Sequence, residues 1–201
     1  MNIAHYLTFL RLFVGPIFLL IYLKYDALGL SNVTLPYVLL SLLVISEITD
    51  ACDGYLARLY NQVTDLGKLL DPMADSIYRI SVFLTFTLPP VELPMALVFI
   101  FFYRDSIVST LRTVCALKGF ALAARASGKL KAVVQAAAAF AITLLLIPYS
   151  FGELSTEGLQ QTSFWIVSGV AIYTVLSGFD YIFANGFYIS RVLSPKASTE
   201  G

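Results

Sequence analysis

The chain has 201 residues, 58% of them hydrophobic and 13% charged, and its 13 basic and 13 acidic side chains cancel to a formal net charge of zero. Soluble domains carry about 25% charged residues, so this composition, with a mean hydropathy of +0.80, excludes an ordinary soluble globular domain. One histidine, His5, and two cysteines, Cys52 and Cys115, without a CxxC pair, exclude zinc sites built on imidazole.

The apolar residues gather into six blocks of spanning length, given that a helix needs about 20 residues to cross a bilayer. They predict helices over 4–24, 34–59, 66–88, 92–117, 128–149 and 162–189. The first block has no charged leader segment and no small-residue cleavage site ahead of it, so it reads as a retained helix. The breaks fall where Pro, Gly or polar residues cluster, as at Pro89-Pro90 to Pro94 and at Lys118 to Ser127. The expected fold is therefore an all-α membrane protein of six transmembrane helices. It forms a single domain over 1–201, with a short polar tail from about 192.

The loops alternate in charge. Arg58 to Lys68, the group Lys118, Arg125, Lys129 and Lys131, and Arg191 with Lys196 fall at one set of ends. Asp26, Glu92, Glu153 and Glu157 fall at the other, with only Lys24 nearby. An excess of Lys and Arg marks the cytoplasmic side, which predicts cytoplasmic termini and places the turn between the second and third helices in the cytoplasm.

That turn is flanked by Asp50, Asp53, Asp71 and Asp75. Ionisable groups inside a membrane are expensive and mark function by default. On a helix, positions 50, 53, 54, 57 and 58 form one stripe, and Gly67, Asp71 and Asp75 form another. A short turn makes the two helices antiparallel neighbours, so facing stripes bring four carboxylates together. Such a set must be protonated, paired, or neutralised by cations. Oxygen ligands without His or Cys favour Mg²⁺ or Mn²⁺, and four carboxylates suffice for two such ions. Two alternatives stay open on spacing alone: a buried ion network in which Asp50 and Asp53 pair with Arg58 or Arg79, and a proton or cation pathway. Gly54, Ala57 and Gly67 leave room for a ligand or for close helix packing.

The eight residues Asp50, Asp53, Gly54, Ala57, Arg58, Gly67, Asp71 and Asp75 fill every fixed position of D-x2-D-G-x2-A-R-x8-G-x3-D-x3-D. The chain therefore resembles the CDP-alcohol phosphotransferase family. Its opening Asn2-Ile3 to Arg11, the block Arg104-Asp105 to Arg112, and Gly128-Lys129-Leu130-Lys131 are most similar to the phosphatidylglycerophosphate synthases of that family, with a weaker echo at Thr174 to Tyr181. The resemblance implies transfer of a phosphatidyl group from CDP-diacylglycerol to glycerol 3-phosphate, releasing CMP, at the cytoplasmic face of the inner membrane. It implies two Mg²⁺ or Mn²⁺ ions held by Asp50, Asp53, Asp71 and Asp75, with Asp75 also the general base. It assigns Thr8, Asp53, Gly54, Ala57, Arg58 and Gly67 to the CDP moiety. It further implies a homodimer in the lipid bilayer and no nucleic-acid partner.

An acceptor phosphate needs a basic pocket, and Arg104, Arg112, Lys129 and Lys131, with Arg125 nearby, are the candidates. Arg104 and Arg112 share one helical face, about two turns apart. The synthase pattern usually has Arg-Glu-Ile where this chain has Arg104-Asp105-Ser106, and a lysine where Ser76 stands. These departures bear on the acceptor, for which inositol phosphate is the runner-up. A carboxylate-lined cation transporter is a more remote alternative, opposed by Arg58 in the carboxylate stripe.

Overall fold

The computed structural model describes residues 3–59, 65–120, 122 and 125–193, with side chains described for 11–50, 72–120, 122 and 125–191. It is all-helical over these residues. The helices are α1 (Ile3–Lys24), α2 (Leu35–Leu59), α3 (Asp65–Thr85), α4 (Met95–Leu117), α5 (Ala126–Ser150), α6 (Thr156–Ala184) and α7 (Gly186–Leu193). Two of them, α5 and α6, are long and apolar enough to cross a membrane, with mean hydropathies of 2.1 and 1.6.

Local chemistry explains where the observed ends depart from the expected ones. α6 starts at Thr156 rather than 162 because Ser155 caps it, its hydroxyl accepting the Gly158 N–H at 3.1 Å. The same helix stops at Ala184, and the Asn185-Gly186 step separates α7, which composition had merged into the sixth span. Pro94 occupies the N-cap of α4, so that helix begins at Met95 instead of 92.

The six long helices pack as a closed ring in the order α1, α2, α5, α6, α4, α3, and α7 rests on α4 and α6. Among the described residues the direct packing neighbours of α2 are α1 and α5. The two carboxylate-bearing helices thus approach each other through side chains: Arg79 on α3 lies 3.8 Å from Glu47 on α2. One half of the ring is filled by an aromatic core. Phe18 and Phe86 meet edge-to-face at 5.8 Å, as do Phe83 and Phe101 at 4.9 Å, a geometry favoured by the ring quadrupoles.

α1 and α3 come together over a glycine. A Cβ on Gly15 would sit 2.7 Å from Cβ of Ser81, closer than two carbons pack, so only glycine lets the helices approach this way. Gly15→Val is expected to cost about 3 kcal/mol, read as a lower thermal unfolding midpoint of the detergent-solubilised protein. An unchanged midpoint would mean the two helices separate freely.

Polar chemistry collects at the opposite end of the ring from the aromatic core. That end holds the close of α2, the first half of α3, the last half of α4, the start of α5 and the close of α6. Arg11 on α1 reaches it, its guanidinium 2.8 Å from Asp50.

Candidate functional site

A cavity of about 310 Å³ opens at this end, and helices from both sides of the ring line it. Asp50 on α2 and Pro72, Asp75 and Ser76 on α3 form one wall. Arg104, Asp105, Val108, Ser109 and Arg112 on α4 face them, with Arg125, Gly128, Lys129, Lys131 and Ala132 from the start of α5 and Tyr181 from α6. Of the expected metal ligands, Asp50 and Asp75 thus share one cavity. Asp53 and Asp71 lie on α2 and α3, but their side chains fall outside the described residues. So do the side chains of Thr8, Gly54, Ala57, Arg58 and Gly67.

The carboxylate wall is anchored by buried arginines. Besides the Arg11–Asp50 pair, Arg79 Nη2 lies 3.2 Å from Asp75 Oδ2 and 3.4 Å from Oδ1, while Nη1 donates to the Ala132 carbonyl on α5. Among the described side chains Arg79 pairs with Asp75, with Glu47 beyond it; a pairing with Asp53 lies outside the described residues. Arg11 and Glu47 were missed from the sequence. Their signal was nonetheless present, since a charge inside an apolar helix needs a partner and Glu47 sits one turn before Asp50.

Do these residues suit a divalent cation? Among the described side chains no three His, Cys, Asp or Glu residues converge as a metal-holding group. The donor chemistry of the two described ligands fits a hard cation: both are carboxylates on the cavity wall, and among the described residues neither His nor Cys lines it. The Arg79 contact leaves the Asp75 carboxylate further lone pairs, because a carboxylate offers about four acceptor sites.

All four expected acceptor residues, Arg104, Arg112, Lys129 and Lys131, line the cavity. Their engagements differ. Lys131 is buried and donates to both oxygens of Asp105 at 2.8 Å. Arg104 also gives one Nη to Asp105, at 3.0 Å. Arg125 makes a two-pronged pair with Asp180 on α6 (2.8 and 3.0 Å), and Ser127 donates to the same carboxylate at 2.5 Å. Asp180 thereby ties the first turn of α5 to α6. Arg112 stands over the ring of Tyr181, 5.9 Å from its centroid, a cation–π contact.

Buried polar atoms nearly always find partners, yet Nε of Arg104, Nε of Arg112 and the Tyr181 hydroxyl are buried without one among the described residues. Guanidinium N–H groups left over beside a cavity are what an anionic ligand uses. The site therefore has two walls of opposite chemistry: carboxylates on α2 and α3, and surplus guanidinium donors on α4.

Comparison with known proteins bears on this division. The family model for CDP-alcohol phosphatidyltransferase matches residues 1–176. A Bacillus subtilis protein named CDP-diacylglycerol–glycerol-3-phosphate 3-phosphatidyltransferase is 32% identical over 193 residues, covering 92% of this chain and 95% of its own length. A Rickettsia typhi protein of the same name is 31% identical over 183 residues, covering 90% of this chain and 94% of its own. A Mycobacterium tuberculosis protein named probable phosphatidylglycerophosphate synthase is 32% identical over 181 residues, covering 90% of this chain and 80% of its own. The motif residues, the extent of the family match and these full-length relatives agree: the chain belongs to the CDP-alcohol phosphatidyltransferase family.

Proposed function

We propose that the protein is a membrane-embedded phosphatidyltransferase that moves the phosphatidyl group of CDP-diacylglycerol onto glycerol 3-phosphate and releases CMP. The observation that carries this reading is the two-walled cavity, carboxylates facing surplus arginine donors. One wall suits a diphosphate held through cations, and the other suits a phosphorylated acceptor. The names of the full-length relatives supply both substrates.

In the reaction the acceptor hydroxyl oxygen attacks the phosphorus that bears the diacylglycerol. Its bond to the CMP phosphate oxygen breaks, and CMP departs with that oxygen. Asp75 takes the hydroxyl proton, as an aspartate within hydrogen-bond reach can. Arg79 holds the Asp75 carboxylate in place. Arg104, Arg112, Lys129 and Lys131 bind the acceptor phosphate, with Arg104 and Lys131 held by Asp105. Family resemblance assigns Thr8, Asp53, Gly54, Ala57, Arg58 and Gly67 to the CDP moiety. Asp50, Asp53, Asp71 and Asp75 would hold two Mg²⁺ or Mn²⁺ ions, which when bound supply charge stabilisation on the phosphoryl oxygens.

We place the chain in the cytoplasmic membrane as six spans with both termini and the cavity on the cytoplasmic side, and as a homodimer by family resemblance. Lys118, Arg125, Lys129 and Arg191 sit at the cavity end, while Asp26, Glu92 and Glu153 sit at the other. That asymmetry supports the orientation. Large apolar side chains on the outer surface, such as Trp165 at 65% and Ile172 at 64% exposed, suit contact with acyl chains.

The test incubates purified protein with CDP-diacylglycerol, Mg²⁺ or Mn²⁺, and a panel of glycerol 3-phosphate, inositol phosphate, inositol and serine. The expected result is metal-dependent CMP release with glycerol 3-phosphate and a lipid product of matching mass. A product with inositol phosphate alone would replace the acceptor, and CMP release with no member of the panel would overturn the reading.

A further inference from the structure

Among the described residues lining the cavity, Asp105 is the carboxylate that stands on the basic wall. It is buried, and it holds two cations from two helices: Lys131 of α5 through both oxygens at 2.8 Å, and Arg104 of its own helix at 3.0 Å. Arg104 is confined along its length as well. A Cβ on Gly178 would meet its Cγ at 3.2 Å, and a Cβ on Gly128 would meet its Nη2 at 3.5 Å, so its stem runs where α5 and α6 present no side chain. The tip is tethered through one nitrogen, Nη1, which leaves Nη2 for another acceptor.

We infer that Asp105 is a positioning residue for the acceptor phosphate, presetting Arg104 and Lys131 as a rigid cationic pair. It touches no substrate itself. A buried ammonium without a counter-ion is strongly disfavoured, and two cations sharing one point of the wall repel each other. Asp105 removes both difficulties and leaves the group of three with a net positive charge. A dianionic phosphomonoester then meets donors whose geometry is already fixed, which spares the ordering cost of two long side chains. The opposite role is also conceivable on charge alone: a carboxylate that merely weakens the pocket by neutralising Lys131. The two roles predict opposite signs.

The inference rests on the acceptor reading above, so the test separates binding from turnover. Calorimetry measures glycerol 3-phosphate binding to the full chain, and steady-state assays with CDP-diacylglycerol give KM and kcat. Asp105→Asn is expected to weaken glycerol 3-phosphate binding about tenfold, the scale of a lost charge-assisted hydrogen bond. The acceptor KM should rise in parallel, with the donor KM and kcat changed less than about threefold. Asp105→Glu, which keeps the carboxylate, is expected to restore binding to within about threefold. Gly178→Ala leaves every charge in place and displaces only Arg104, and it is expected to weaken acceptor binding by about threefold or more. If Asp105→Asn does not fold, Asp105→Leu with Lys131→Met removes both buried charges together and should bind as weakly. Unchanged or tighter binding in Asp105→Asn, or in the Asp105→Leu with Lys131→Met variant where Asp105→Asn does not fold, would overturn the inference. Wild-type protein that binds glycerol 3-phosphate but forms no lipid would overturn the proposed reaction while leaving the Asp105 comparison readable. Wild-type protein that does not bind it overturns both.

Discussion

Asp75→Asn is expected to abolish turnover, lowering kcat at least about 10³-fold, within the range that loss of a general base produces. The substitution is nearly isosteric, and the amide oxygen can still accept from Arg79, which holds the wild-type carboxylate at 3.2 Å. Two things are lost. The amide cannot take the acceptor's proton, and it no longer offers an anionic oxygen to a divalent cation. Because the Arg79 contact survives, the unfolding midpoint should move by no more than a few degrees. The decisive measurement is CMP release from CDP-diacylglycerol with saturating glycerol 3-phosphate. Wild-type turnover in this variant would remove Asp75 from the chemistry altogether.

Arg79→Met is expected to cost about 3 kcal/mol of stability. The guanidinium is buried, with 9% of its side-chain surface exposed, and it serves Asp75 and Glu47 together. It also donates to the Ala132 carbonyl of α5. A methionine fills similar volume but leaves two carboxylates facing each other without a cation. Both acids keep some solvent contact, which sets the cost at the low end for a broken buried pair. Thermal unfolding in detergent reads the loss. A second substitution, Glu47→Gln, in the Arg79→Met background is expected to recover part of it by removing one of the stranded charges. No recovery would mean that the carbonyl contact to α5, rather than the ion network, carries the stabilisation.

These two residues also show what the sequence could and could not reveal. The six long helices were legible because each apolar block is long enough to form one. The aspartates were legible because charge at helical spacing is rare in such blocks. Arg104 and Arg112 stood out for the same reason. The pairings were not legible. Lys131 meets Asp105 across 26 residues, and Arg125 meets Asp180 across 55. Both depend on the ring order that sets α5 against α6 and α6 against α4, which no local spacing encodes. Spacing left Lys131 between ligand binding and membrane topology, and only the structure shows the carboxylate that holds it, Asp105. The missed boundaries at Ser155, Asn185-Gly186 and Pro94 rest on signals of one or two residues, too short to change a hydropathy average.

The cavity's division between walls has a consequence for how such a protein can change. Among the described residues the carboxylate wall comes from α2 and the first half of α3, up to Ser76, whereas the basic wall is assembled from Arg104 onward. The two stretches meet across a space rather than through shared side chains, apart from the Arg79 tie to Ala132. On the proposed reading, substitutions in the later helices alter which alcohol is accepted without disturbing the leaving-group machinery. On that reading the chain divides the labour: one segment holds the leaving-group chemistry, and the other chooses the acceptor.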